Sequence, residues 1–382
     1  MSGQSVASLF WKRFRSGFQG MAGLVLVGCA LMVSVFCYFI MPDDTPDANE
    51  MHVSLALLPP GSEVTFLQFP SQLSMQESAL PGWISGYPSK FKSVPVDTFY
   101  MQGPSLFWSE FDGDPGVSSE MQSMKIEGFC NRNGMQSSQG AINGSDCLKE
   151  YTETRTYWLG TDKFGRDQFS RLLAGTRVSM SVGLIAVVIS LLIGVLLGSL
   201  AGFFRGKIDA FIMWFTTVVW SVPTLLLVIA ITLALGKGFV QVFIAVGLTM
   251  WVEVARLVRG QIFSLREKDF VEAGRALGYS DARIIVRHVL PNVMGPVVVI
   301  AASNFASAIL LEAGLSFLGM GAQPPTPSWG MMIKESYSYI VLGAAHLAVF
   351  PGLAIMLMVL AFTWLGNGLR DALDTRSTTS EK

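Results

Sequence analysis

Five stretches of about twenty residues without a single charge run through this chain, and they constrain its fold more than anything else in it. A helix needs roughly 20 apolar residues to cross the hydrocarbon core of a bilayer, where every backbone polar group has to be satisfied within the segment. Met21 to Met41, Val178 to Phe204, Ala210 to Leu235, Val293 to Leu311 and Leu347 to Leu369 meet that requirement. A further run, Phe239 to Val252, is shorter and has to continue through Glu253 and Arg256 to be long enough. The topology of its neighbours needs it as a span. Only 14% of the residues are charged, against roughly 25% in soluble domains. The expectation is an all-α membrane protein with six spanning helices.

The basic residues orient these spans. Lys12, Arg13 and Arg15 precede the first span, and Arg205 and Lys207 lie between the second and third. Arg256, Arg259, Arg266, Lys268, Arg275, Arg283 and Arg287 lie between the fourth and fifth, and Arg370 and Arg376 follow the sixth. The short loops on the other side hold Lys237 and Lys334. Short loops rich in Lys and Arg stay in the cytoplasm, whereas long loops are exported regardless of charge. Both termini are therefore expected in the cytoplasm, in an inner membrane. The first run is too long for a signal-peptide core and no small-residue cleavage site follows it, so it reads as an uncleaved anchor. The expected organisation is a cytoplasmic N-terminus (1–20), a first span (21–41), an exported lobe (42–157) and an interfacial helix (158–177). A core of five spans (178–369) follows, with a cytoplasmic loop inside it (265–292), and then a cytoplasmic tail (370–382). A net charge of −1 provides no field for nucleic acid.

The exported segment has another texture, rich in Pro, Gly and Ser. Pro59-Pro60-Gly61, Pro81-Gly82 and Pro104 are turn signals, and Val64 to Phe69 and Thr98 to Tyr100 have the composition of short strands. A small, mixed, strand-containing or irregular lobe is expected. Cys130 and Cys147 fall within it and pair if it faces an oxidising compartment; the other reading is two free thiols. Cys29 and Cys37, inside the first span, read as small apolar residues. Asp112, Gly113, Asp114 and Gly116 form an acidic turn whose spacing is incomplete for a calcium loop. His52, His288 and His346 are isolated, and no metal site is expected.

The most informative stretch is Asp269 to Asn292. Phe270, Val271, Ala273, Ala276 and Leu277 recur at helical spacing. Gly278 stops that helix, and Ser280 or Asp281 caps a second one beginning at Ala282. Ile284, Ile285, Val289 and Leu290 give the second helix an apolar face, and Pro291 ends it. The order of features, with Glu272-Ala273-Gly274, then Gly278 and then Leu290-Pro291, resembles the E-A-A loop of binding-protein-dependent transporter permeases. The family's usual third alanine is Gly274 here, a change that loosens the helix by up to ~1 kcal/mol.

Leu159 to Ser181, Glu312 to Gly330 and Arg287-His288 resemble segments of the dipeptide and oligopeptide permeases, in particular the C-type of the two non-identical permeases. The resemblance covers Leu159 to about Asp374 together with the N-terminus and first span, and leaves the lobe unexplained. It implies a type I importer permease fold. It further implies a loop in which Glu272, Ala273, Gly274, Ala276, Leu277, Gly278 and Tyr279 dock on an ATPase subunit. The implied partners are a second permease, two ATP-binding cassette subunits that hold ATP and magnesium, and a periplasmic binding protein that delivers peptide. The implied activity is ATP-driven import of di- or oligopeptides, with nickel or oligosaccharides as alternative cargo for the same machinery.

Some single residues stand out within the spans. Gly194, Gly198 and Gly202 form a small-residue ridge suited to close helix approach. Pro223 sits inside the third span, where it frees a backbone carbonyl and is expected to kink the helix, and Ser303 and Asn304 sit mid-way along the fifth. These three are the candidates for a pathway lining, with interhelical hydrogen bonding as the other reading of Ser303 and Asn304. Glu312 is expected to pair or to cap the outer loop, and Pro351 to begin the sixth helix. The chain contains no Gly-x-x-x-x-Gly-Lys-Ser/Thr phosphate loop, no His-Glu-x-x-His and no Gly-x-Ser-x-Gly, so no ATPase or hydrolase site is expected. The clean spans argue against a self-sufficient secondary transporter. A membrane anchor that displays the exported lobe is the reading from a different class.

Overall fold

The computed structural model describes residues 6–70, 81–89, 91–113, 120–126, 129–130, 144–236 and 238–373. Asp114, Gly116, Lys237 and Arg376 lie outside the described residues.

Two helices open the chain, α1 (Val6–Ser16) and α2 (Phe18–Ile40). The lobe follows, with strands β1 (Ser62–Pro70), β2 (Phe91–Gln102), β3 (Ser105–Glu110), β4 (Met121–Lys125) and β5 (Thr152–Tyr157), and short helices α3 (Gly82–Ser85) and α4 (Gly144–Glu150). These form a five-stranded antiparallel sheet in the order β4-β3-β2-β1-β5. Gly103, in the left-handed region at φ 59°, makes the turn before Pro104 between β2 and β3. Leu67, Val96, Leu106 and Trp108 bury one face of the sheet against Phe129, Cys130 and Cys147. Cys130 and Cys147 are disulfide-bonded with their Cα atoms 6.1 Å apart. A clip across 17 residues removes chain entropy from the unfolded lobe worth about 3 kcal/mol. At the foot of the sheet Arg155 Nη1 lies 2.6 Å from Glu50 Oε2, and His52 Nε2 lies 3.2 Å from Glu50 Oε1. Burial pushes the Glu50 carboxyl up, but these two partners outweigh it and bring the group down to about 2.

The helical core comprises α5 (Gln168–Phe204), α6 (Gly206–Trp220), α7 (Thr224–Leu235), α8 (Phe239–Leu265), α9 (Asp269–Ala276), α10 (Asp281–Ile284), α11 (Leu290–Phe317), α12 (Trp329–Ser336) and α13 (His346–Leu373). Among the described residues five helical stretches are long and apolar enough to cross a membrane, and six if α6 and α7 count as one broken span. Helix α8 runs unbroken through Glu253 and Arg256. Helices α5 and α8 form the most extensive helix pair; α2 packs on α13, and α11 lies against α13, α5 and α8.

The α5–α8 seam is built on glycine. A Cβ at Gly194 would come within 2.8 Å of the Trp251 carbonyl, one at Gly198 within 2.5 Å of the Ala255 carbonyl, and one at Gly202 within 2.8 Å of the Arg259 carbonyl. From the other side, a Cβ at Gly247 would meet Ile189 Cβ at 2.7 Å. Four contacts at one-turn intervals let the two backbones touch, which is what a small-residue ridge is for.

The structure corrects four expectations about where helices begin, break and end. The stretch 158–177 is not one interfacial helix. Residues 158–167 form an irregular loop, buried from Gly160 to Asp162 and from Gly165 to Asp167, and the helix begins only at Gln168, capped by the Asp167 side chain, which accepts from Ser170 N at 2.9 Å. Gly160 and Gly165 both take positive φ (74° and 70°), and Asp162 Oδ1 accepts the Phe164 and Arg166 backbone N–H groups that a helix would have used. The third span is broken, not merely kinked: α6 and α7 meet at 90° around Ser221 to Pro223. Pro223 lacks the N–H that would continue the helix. The third correction concerns Pro291. It does not end the second loop helix: from Asp281 to Phe317 the chain is helical throughout, and Pro291 follows directly on a π-turn at Ile285–Val289, an interruption of the regular hydrogen-bond ladder of the kind that accommodates a residue without an N–H.

Pro351 lies one turn inside α13 and does not start it. The carbonyl that it leaves free, Leu347 O, accepts a hydrogen bond from Gln168 Nε2 at 2.9 Å. A side chain from a neighbouring helix thus supplies the missing donor, as membrane helices with internal prolines require.

Candidate functional site

Two regions combine exposure with ordered geometry. The first is the turn between α9 and α10. Helix α9 ends in a Schellman motif: Gly278 N donates to Arg275 O at 2.9 Å, and Tyr279 N donates to Gly274 O at 3.1 Å. The motif needs a left-handed residue, and Gly278 supplies it at φ 76°. Ser280, and not Asp281, then caps α10 through Arg283 N. Val271 and Ile284, Ile285 and Val289 are buried in one apolar cluster with Val254, Val258 and Ile262 of α8 and Val293 and Val297 of α11. The pair of short helices is therefore seated directly on the ends of two long ones.

Of the seven loop residues singled out in the sequence, Glu272, Ala273, Ala276, Leu277 and Gly278 are exposed. Leu277 is 70% exposed, an unusual position for a leucine beside a well-formed turn. Gly274 faces inward, and a Cβ there would meet Ile284 Cγ1 at 3.5 Å, an ordinary contact. Tyr279 is half-buried, its ring 5.7 Å from His288 and 4.2 Å from the Arg283 guanidinium carbon. Arg259 and Asp209 form a two-pronged ion pair that fastens α6 to α8 near the same end.

The second region is a groove between α8 and α11. It holds two successive cavities. The one farther from the α9–α10 turn, about 310 Å³, is lined by Trp220 and Thr224 at the α6/α7 break, by Thr249, Met250, Val252 and Glu253 of α8, and by Ser307, Leu310 and Leu311 of α11. The nearer one, about 380 Å³, is lined by Leu257 of α8, Pro296, Val299, Ile300 and Ser303 of α11, and Arg370 and Leu373 of α13. Pro296, Ile300, Ser303, Ser307 and Leu310 recur every three or four residues, so one stripe of α11 lines both cavities. Most of the stripe is apolar, with hydroxyls at intervals and one ionisable side chain on either side of the middle, Glu253 and Arg370.

The three pathway candidates separate. Pro223 creates the break whose flanking residues line the farther cavity. Ser303 lines the nearer one, with its hydroxyl directed back to Val299 O at 3.4 Å. Asn304 is 1% exposed and faces the helix packing, not the groove. Glu312 is buried and accepts from Ser316 Oγ, one turn on in α11, at 2.6 Å; it forms no salt bridge among the described residues. Glu253, Thr249, Thr224 and Ser307 were missed by the sequence reading. Glu253 carried a signal, since an ionisable residue inside a required span is functional by default.

The buried charges at the lobe end are structural. Arg166, 1% exposed, lies 2.6 Å from Asp162 and 3.1 Å from Glu335, and reaches Asn49 at 3.3 Å. These contacts tie the loop before α5 to α12 and to the start of the lobe.

A family described as "Binding-protein-dependent transport system inner membrane component" matches residues 194–379. The glutathione transport system permease protein GsiD of Escherichia coli is 47% identical over 220 residues, 58% of this chain and 72% of that protein. GsiD of Shigella boydii matches to the same extent, 47% over 220 residues. Among solved structures, the MetNI methionine ABC transporter in an inward-facing conformation aligns over 54% of this chain and 98% of that chain at 17% identity and a TM-score of 0.45.

Proposed function

Because the chain belongs to the family of binding-protein-dependent transport system inner membrane components, we propose that it is the permease half of an ATP-driven importer of small peptides, and that its cargo moves along the α8–α11 groove. It is a multi-pass, non-catalytic subunit of an ABC importer of the peptide type. The permeases of this kind that it matches are named for glutathione, itself a small peptide, and that supports peptides over nickel or oligosaccharides as cargo.

In this reading the α9–α10 turn docks on an ATPase subunit through Glu272, Ala273, Ala276, Leu277 and Gly278. Gly274 and Tyr279 brace it from within. Two such ATPases hold the ATP and magnesium, a second permease closes the groove, and a binding protein delivers cargo on the lobe side. Both termini are cytoplasmic, as the Arg-rich loops require. ATP binding favours one arrangement of the ATPase pair, and the permease state that fits it is favoured by the same differential affinity.

The observation that carries the proposal is the seating of the turn. Val271, Ile284 and Val289 share one buried cluster with Val258 of α8 and Val297 of α11. A push on the exposed rim of the turn therefore reaches both walls of the groove through packed side chains. Replacing Glu272 with Arg is expected to abolish uptake while the protein still inserts and extracts as a folded subunit. Uptake at the unsubstituted rate would refute the docking role. A cysteine at Leu277 is expected to cross-link to the ATPase subunit in the assembled transporter.

A further inference from the structure

Glu253 lies near the middle of α8, on a helix long enough to span the bilayer. Its carboxylate is exposed into the 310 Å³ cavity and takes part in no salt bridge among the described residues. The cation closest in sequence, Arg256, stacks its guanidinium carbon 4.0 Å over the Trp220 ring, which lines the same cavity, and forms no salt bridge with Glu253. An unpaired carboxylate within a spanning helix is costly unless it serves a water-filled path or a bound partner. The cavity around it also favours donors over acceptors. Thr249 Oγ1 gives its hydrogen to Val246 O at 2.8 Å, which leaves only acceptor capacity facing the cavity. Thr224 and Ser307 add hydroxyls that turn to suit an incoming N–H. The volume is within the range of small-molecule sites.

We propose that this cavity is a cation subsite of the transport path, in which Glu253 is the counter-ion for an ammonium group of the cargo, such as the free amino terminus of a peptide. The inference rests on the reading of the groove as that path. It accounts for a charge that packing alone does not need, placed beside a broken span, where membrane transporters commonly build their substrate sites.

The test uses the transporter assembled with its partners and a Cys29→Ser background carrying Ser307→Cys. Reaction of this cysteine with a trimethylammonium methanethiosulfonate and with its sulfonate analogue is followed, each rate normalised to that with a free thiol. The cationic reagent is expected to react roughly tenfold faster, because a unit charge acts strongly at this range in a low-dielectric site. Glu253→Gln is expected to bring the ratio close to one, and Glu253→Asp to keep it. Uptake of tri-alanine in Glu253→Gln is expected to fall roughly tenfold. A ratio near one before substitution, or a ratio that Glu253→Gln leaves unchanged, overturns the subsite. If the cysteine reacts with neither reagent in any nucleotide state, the groove is no aqueous path and the broader reading falls with it. If it reacts with both equally, only the cation subsite falls.

Discussion

The face of α8 turned towards α5 and the face turned towards α11 are made of different residues and leave different amounts of space. Towards α5 the contact runs through Gly194, Gly198 and Gly202, which lie on the backbone of Trp251, Ala255 and Arg259, and through Gly247, which receives Ile189. The glycines bring no side chain of their own, so the facing carbonyls and the Val254, Val258, Ile262 and Ile189 side chains sit directly on their backbone. Towards α11 the same helix presents Thr249, Glu253 and Leu257 to open cavities. One face is closed by backbone contact and has no slack to give. The other has volume and polar groups but few cross-helix contacts. A movement that widens the groove therefore arises on the α11 side or at the α6/α7 break, with α5 and α8 travelling as one body.

The comparison is broken most severely at the seam. Gly198→Leu forces a side chain into the Ala255 carbonyl, a backbone atom that cannot swing aside. Overpacking of this kind costs about 3 kcal/mol or more, and the expected outcome is loss of monodisperse protein on detergent extraction. A leucine accepted there without loss of yield would mean that the seam is not closed. Next in size is Ser307→Trp in the groove. It fills open volume, so the melting temperature is expected to stay within a few degrees while uptake falls roughly tenfold or more. A large drop in stability with uptake retained would reverse the assignment of the two faces.

The smallest effect sharpens the contrast between glycines. Gly274 of α9 is helical and its missing Cβ would make ordinary contacts. Gly274→Ala should therefore stabilise by up to about 1 kcal/mol, where Gly198→Ala should destabilise. Thermal unfolding of the two variants side by side reads the difference directly, and the same sign for both would contradict it.

Much of this was legible in the sequence, for identifiable reasons. The spans were, because lipid forces long uncharged runs. The Schellman turn was, because few residues other than glycine adopt the left-handed conformation that Gly278 takes. The strand at Thr98 to Tyr100 lay within β2 and that at Val64 to Phe69 within β1, but their order in the sheet was not readable, since register depends on contacts between distant segments. The break at Ser221 to Pro223 was underestimated: proline predicts a disturbed helix, while the 90° bend depends on what the two halves pack against. Of the helix expected over 158–177, only the part from Gln168 forms: the helical spacing of Phe169, Leu172 and Leu173 belongs to α5 and does not extend back over 158–167. What decided the course of that loop was the Asp162 side chain competing for backbone donors, together with Gly160 and Gly165. Glu253 was visible and undervalued. Its meaning came from the cavity, which exists only once α6, α7, α8 and α11 are assembled.

The central claim, that one stripe of α11 lines a path worked by partner ATPases, is tested most directly by a cysteine scan of that helix in the assembled transporter. Single cysteines at positions 296, 300, 303, 307 and 310 are compared with cysteines at the buried positions 293, 297, 305 and 309, using a membrane-impermeant thiol reagent with and without trapped ATP. The account predicts labelling at the first set alone, with rates that change between the two nucleotide conditions. Labelling that ignores the stripe, or that is identical in both conditions, would contradict it.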